Sequence, residues 1–270
     1  MASHLLPFRK LISLKGNESF PFLQALITKD LRTLNDTKNG VEFSYLLNAR
    51  GRIVTDLLVY KKEDEYLLEV DTKIIDKMVK LLKIYKLRRD ISISISDYNV
   101  GYSFNKIIDN VNKHIFIDPR VPTFGWRILN EDVPEIKDEE KNYHLRRMIF
   151  GIPEGSDETS DELPLNMNGD LMNGVNFDKG CYIGQELTAR TNFIGVVRKR
   201  LLPLKFEKTS SQCDVDKNLY SENNKKRIGK LIKRIDNLGI GIVSIDQIDK
   251  EICYNDEKVL VLRPEWWKKT

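Results

Sequence analysis

The sequence predicts an α+β protein that ends in a small all-β unit. Three observations carry this reading. Strand-period and helix-period apolar patterns alternate over residues 11–95, a hairpin signal joins two of those strands so that the sheet is largely antiparallel, and from residue 196 onward only short strands occur, split by polar, turn-rich connections.

Taken in order, Leu11–Leu14 reads as a strand, and Ser19 then caps a helix that places Phe20, Leu23 and Ile27 on one face, with Pro21 tolerated in the first turn. Val41, Phe43, Tyr45 and Leu47 alternate with other residues, as a strand with one buried face requires. Asn48-Ala49-Arg50-Gly51 supplies turn chemistry, and Ile53–Tyr60 completes the hairpin. Tyr66–Val70 is a further strand; Ile74, Ile75, Met78, Leu81, Leu82 and Tyr85 form an amphipathic helical stripe, and Ile91, Ile93 and Ile95 close a first unit, residues 1–98. A second unit, residues 99–194, has strand-like stretches around Val100–Ile107, Ile115–Ile117 and Phe124–Leu129, then a helix over Asp138–Phe150 that stops at Gly151-Ile152-Pro153. The acidic stretch Glu154–Glu162 is expected to be a solvent-exposed loop. In the third unit, residues 195–270, short strands at Val196–Phe206, Ile228–Ile235, Ile240–Ile245 and Val259–Leu262 suggest a barrel or a sandwich, with the weakest structural signal over Lys208–Lys226.

A chain of 270 residues with 31% charged and 41% apolar content suits two or three packed units with ample core. No apolar run approaches the roughly 18 residues of a membrane-spanning helix. The net charge of +4 is mild and the charges are spread along the chain, so nucleic acid is not expected as a partner. One basic cluster, Lys77, Lys80, Lys83, Lys86, Arg88 and Arg89, has helical spacing and reads either as a solvated helix face or as a site for phosphates or an acidic partner. Cys181, Cys213 and Cys253 are too few and too scattered for a disulfide framework or a closed zinc site, which points to a reducing compartment. His4, His114 and His144 share no ligand spacing and receive no role. Residues 1–10 hold too little sequence for a signal or transit peptide, so either none exists or it was removed.

The chemistry-bearing stretch is Phe177–Arg190. Cys181 stands between Lys179 and a helix start near Gly184; free amides at a helix N-terminus and a nearby ammonium both favour a thiolate, which attacks electrophiles or binds metal. Gly180 and Gly184 allow close backbone approach or positive φ, while Gln185 and Glu186 occupy the first helical turn, where Glu186 can accept a proton or a hydrogen bond. The other local reading is a tight turn around an inert, buried cysteine.

Lys179-Gly180-Cys181-Tyr182-Ile183-Gly184-Gln185-Glu186 resembles the signature of the YgfZ branch of the folate-binding, GcvT-like (glycine cleavage T-protein-related) superfamily, and Leu187–Thr191 continue it in the form typical of mitochondrial assembly factors. Further landmarks occur in order: Phe22–Thr28, Leu46–Arg52, Asp118-Pro119-Arg120, Gly125-Trp126-Arg127, Gly151–Gly155, Leu163–Asn166, Met172–Val175 and Pro264–Trp267. The resemblance implies two α+β, ferredoxin-like units around a central channel that takes a folate, plus a small C-terminal β barrel. It implies a late role in the mitochondrial matrix, where A-type carrier proteins build [4Fe–4S] clusters for aconitase-like and radical-SAM enzymes such as lipoate synthase. Cys181 is then the key thiol and a ligand to a shared [2Fe–2S] cluster, the other ligands coming in trans.

Two departures limit the transfer. T-proteins carry a non-cysteine residue where Cys181 stands, and their catalytic aspartate has no clean counterpart, since Asp71 and Asp76 are nearby but out of pattern. Aminomethyltransferase activity is therefore not expected. Tetrahydrofolate binding stays open through the shared channel, with Tyr45 and Arg50 near the hairpin turn as candidate contacts, against packing and surface roles for both. The alternative function is a folate-dependent one-carbon (aminomethyl-type) transferase or a folate-binding protein linked to tRNA modification. A covalent thiol enzyme at Cys181 lacks a histidine base nearby in sequence.

Overall fold

The computed structural model describes residues 3–36, 40–105, 114–136, 139–209, 217–222 and 226–267. Two strands come first, β1 (His4–Leu5) and β2 (Arg9–Lys15), followed by the short helices α1 (Ser19–Gln24) and α2 (Thr33–Asp36). The predicted hairpin is β3 (Val41–Leu47) and β4 (Ile53–Lys62); β5 (Glu65–Asp71), α3 (Ile75–Lys86) and β6 (Ser92–Ile95) complete an antiparallel sheet of order β3-β4-β5-β2-β6. Next come β7 (Asn99–Ser103), β8 (His114–Ile117) and β9 (Trp126–Asn130), which with β1 form a second sheet of order β1-β7-β9-β8. The N-terminal strand thus crosses the boundary drawn at residue 98 and ties the two units together. Residues 106 and 107 of the expected Val100–Ile107 strand lie outside the described residues.

Helices α4 (Glu139–Ile149), α5 (Ser156–Thr159) and α6 (Gln185–Phe193) lead to a closed six-stranded barrel. Its strands are β10 (Lys199–Phe206), β11 (Asn218–Ser221), β12 (Arg227–Ile235), β13 (Leu238–Ser244), β14 (Glu251–Tyr254) and β15 (Glu257–Val261), in the order β10-β13-β12-β11-β14-β15, closed by pairing of β15 with β10. Closure decides for the barrel over the sandwich and leaves no free edge. One apolar cluster, holding Leu11 and Tyr45 of the first sheet, Val100 and Leu129 of the second and Leu201 and Ile240 of the barrel, joins all three units.

Three sequence expectations need correction. Glu18, not Ser19, stands at the N-cap of α1; Ser19 is the first helical residue and the helix ends at Gln24, so Ile27 instead bridges to Leu46. Glu18 uses its carboxylate elsewhere, accepting the Asp90 N–H at 2.7 Å. Strand β3 is buried at all seven positions rather than on one face, because Glu42 pairs with buried Lys29 at 3.2 Å and Ser44 accepts the Lys29 N–H at 3.0 Å. Polar side chains can be buried when each finds a partner.

The third correction is the largest. The stretch Glu154–Glu162 is not an exposed loop: it contains α5, and Glu154, Glu158 and Thr159 are buried. Glu154 receives Arg120 Nη1 at 2.6 Å, Arg127 Nη2 at 2.7 Å and the Tyr143 hydroxyl at 2.8 Å. Glu158 receives Arg147 through both Nη1 at 2.6 Å and Nη2 at 2.7 Å. The network continues into the first sheet, where Arg9 meets Asp56 at 3.1 Å and Glu69 at 2.9 Å. Glu69 also lies 3.7 Å from Arg127 of the second sheet. The two sheets therefore face one another through interlocked guanidinium and carboxylate groups.

Candidate functional site

The signature segment is laid along residues 24–30 by hydrogen bonds that leave its cysteine outside. Asn176 N donates to Thr28 O at 3.0 Å, Ile183 N donates to Ala25 O at 3.2 Å, and Asp30 N donates to Asn176 Oδ1 at 2.9 Å. Lys179 sends its ammonium into a cage of backbone carbonyls, Gln24 O at 2.8 Å, Ile27 O at 2.6 Å and Lys29 O at 2.9 Å. An ammonium has three N–H donors, so all three are taken by these carbonyls. Burial lowers the Lys179 ammonium to about 8. Its charge also sits 5.0 Å from the centre of the Tyr182 ring. Tyr182 is itself buried, which pushes its phenol up to about 12.

Between these two anchored residues Cys181 is a free, exposed thiol. Helix α6 starts at Gln185, with Gly184 at its N-cap, so Cys181 lies three residues before the cap. Gln185 accepts the Tyr182 N–H through Oε1 at 3.2 Å, while Glu186 is exposed in the first turn. The two motif glycines differ. Gly184 has φ +79°, and a Cβ there would stand 2.3 Å from Asn48 O and 3.1 Å from Gly51 Cα. The hairpin turn 48–51 therefore touches the start of α6 backbone to backbone. Gly180 has nothing within 4 Å of the place its Cβ would take.

Beyond α6 the surface is apolar. Phe193, Ile194 and Val196 are 66%, 85% and 75% exposed, and the Phe193 ring packs at 6.3 Å from Phe177, which opens the signature segment. Arg190, Arg198 and Lys199 are exposed around them. The sequence reading placed Val196 in a barrel strand and missed this patch. Its available signal was an apolar run after a helix with no polar alternation.

Tyr45 and Arg50 are not brought together into a slot. Tyr45 is fully buried, and its hydroxyl donates to Met167 O at 3.2 Å; Arg50 is exposed on the hairpin turn that abuts α6. Asp71 is engaged by Ser156 N at 2.7 Å, Ser156 Oγ at 2.6 Å and Lys73 N at 2.8 Å, and Asp76 is exposed on α3. A pterin site needs a concave slot with unpaired polar groups. Tyr45 and Arg50 do not together form one. Among the described residues no group of three or more His, Cys, Asp or Glu side chains could hold a metal ion. Cys253 lies partly buried on β14, and Cys213 lies outside the described residues.

Residues 198–269 match the family model described as the CAF17 C-terminal beta-barrel domain. An iron-sulfur cluster assembly factor IBA57 homolog, mitochondrial, from Neurospora crassa is 34% identical over 90% of this chain and 63% of its own length. The homolog from Coccidioides immitis is 31% identical over 88% of this chain and 70% of its own length. The chain belongs to the IBA57 family of mitochondrial iron–sulfur cluster assembly factors. The human IBA57 protein is 32% identical over 73% of this chain and 64% of its own length, and this chain spans between 55% and 70% of the length of the IBA57 relatives it matches. The glycine cleavage system aminomethyltransferase T from Bartonella henselae superposes with a TM-score of 0.73 over 97% of this chain and 84% of its own, at 14% identity. That likeness establishes the GcvT-like fold expected from the signature.

Proposed function

We propose that this IBA57-family chain works in the mitochondrial matrix by lending the Cys181 thiolate as one ligand to a [2Fe–2S] cluster held jointly with an A-type carrier protein. The cluster is cargo passed toward [4Fe–4S] proteins of the aconitase and radical-SAM type. One observation carries the reading: Cys181 is an exposed free thiol on a loop whose neighbours Lys179 and Tyr182 are anchored, in the segment that runs through α6 to the exposed Phe193, Ile194 and Val196. Thiolates are the usual ligands of such clusters, which take four protein ligands, so a single cysteine leaves the others to the partner. Glycine at position 180 supports the same reading. The fold leaves open space there, so a partner can approach the backbone without meeting a Cβ. Lys179, with its donors given to carbonyls, holds the loop in place, and Glu186, exposed in the first turn of α6, is available to the partner.

Anaerobic reconstitution with an A-type carrier, read by visible absorption and by complex size, tests this. Wild type and Cys253→Ala are expected to give a coloured heterocomplex, and Cys181→Ala is expected to give none while keeping its melting temperature. A coloured complex of undiminished yield with Cys181→Ala would sink the proposal. Gly180→Val is expected to weaken the complex without loss of stability.

A further inference from the structure

Helix α3 turns its apolar side inward, with Met78 and Leu82 buried, and leaves Lys77, Lys80 and Lys83 in solvent. Residues 74–91 carry six cations, Lys77, Lys80, Lys83, Lys86, Arg88 and Arg89, against Asp76 and Asp90. That local excess of four equals the net charge of the whole chain, so the remaining residues balance to zero. Beside these cations the same corner exposes several large apolar side chains. Ile84 is 57% exposed, Leu87 81% and Ile95 46%. Ile84 and Ile95 line one shallow groove of about 440 Å³ with Val79, Lys80, Lys83 and Asp76.

Leu87 is the most unusual of these. It ends α3 with φ +51° and ψ −116°, a conformation that a bulky residue rarely takes, and its side chain serves no core. The loop that presents it is fixed, because Lys86 Nζ reaches forward to donate to Arg89 O at 3.3 Å and to Ile91 O at 2.8 Å. The result is an exposed leucine in a basic stretch of chain.

We propose that this corner is a peripheral docking surface for an anionic lipid bilayer, with α3 lying along the membrane, Ile84 and Leu87 dipping among the headgroups, and Lys77, Lys80, Lys83 and Arg88 meeting lipid phosphates. Basic and apolar side chains on one helix face are the combination that binds such interfaces. A soluble polyanion would use the cations but gain nothing from Leu87. No described helix is long and apolar enough to cross a membrane, so the contact is with the surface.

The test is co-sedimentation of the full chain with vesicles of phosphatidylcholine alone or mixed equally with phosphatidylglycerol. Capture is expected only by the mixed vesicles, and it should fall sharply between about 0.1 M and about 1 M salt as the Debye length shrinks from about 10 Å to about 3 Å. Leu87→Asn keeps a residue that tolerates positive φ and should weaken partition about tenfold or more, as removal of one inserting leucine implies. The Lys80→Glu, Lys83→Glu double variant should abolish capture. Both changes lie on exposed positions, and unchanged circular dichroism verifies the fold. Absence of capture by the mixed vesicles overturns the proposal. So does wild-type capture by Leu87→Asn, and so does preferential binding of poly-L-glutamate over the vesicles.

Discussion

Replacing Glu154 by Gln probes the part of the molecule that sequence reading placed in solvent. The substitution keeps shape and removes one negative charge from a site where the side chain is 1% exposed. Burial alone would raise the carboxyl pKa, but the guanidinium groups of Arg120, Arg127, Arg9 and Arg147 hold it well below the usual carboxylate range. The variant removes the negative charge from two charge-assisted bonds that share Oε2, from Arg120 Nη1 at 2.6 Å and Arg127 Nη2 at 2.7 Å, and turns an amide NH2 toward the Tyr143 hydroxyl, which must then accept instead of donate. Two such bonds at about 1.5–3 kcal/mol each set an upper limit of about 3–6 kcal/mol on the loss. Breaking one partner of a buried ion pair costs about 3–5 kcal/mol, in agreement. At about 2–4 °C per kcal/mol for a chain near this size, the melting temperature should drop by about 6–20 °C. Thermal unfolding followed by circular dichroism, with a urea titration beside it, measures both quantities. A loss below about 1 kcal/mol would refute the reasoning, because it would mean that water or rearrangement compensates the stranded guanidinium groups.

The same network predicts acid lability. Asp118, Glu154 and Glu158 are all held low by neighbouring arginines against the opposing effect of burial, so their stabilisation is present above the unfolded-state value of about 4 and is lost as pH falls below it. Asp56, raised by burial, works in the opposite sense, but it is one group against three. The urea midpoint should therefore decline as pH is lowered through about 4, and a flat midpoint there would count against the ion pairing. Gly184→Ala should cost at least about 1 kcal/mol and loosen α6 from the hairpin turn, since the new Cβ would sit 2.3 Å from Asn48 O on a backbone of φ +79°; Gly180→Ala should melt like wild type. Lys179→Met strands three carbonyls and should cost about 2 kcal/mol or more, visible as faster hydrogen exchange over residues 24–30 and 176–183.

Most strands were readable because a strand announces itself locally. Val41–Leu47, Ile53–Lys62 and Glu65–Asp71 each carry enough alternating apolar residues to reveal period two and a turn between. The barrel strands Asn218–Ser221 and Glu251–Tyr254 escaped notice, because each carries only one or two buried apolar residues and is fixed by pairing with strands distant in sequence and by the barrel core. The signature around Cys181 was likewise legible as a string of residues. Whether its thiol faced solvent was not.

Sequence alone determined the α+β class, the hairpin and the signature segment that carries Cys181, since all three are written in residues close together along the chain. The tertiary structure decided the partners. Lys179 is two residues from Cys181, yet its donors go to carbonyls more than 140 residues earlier, and Glu154 sits among acidic neighbours but is neutralised by arginines from both sheets and α4. Gly180 and Gly184 look alike in the motif, and only the packed hairpin turn distinguishes them. Periodicity and turn chemistry act between adjacent residues, whereas burial of a charge is tolerated or forbidden by groups that only folding brings within a few ångströms.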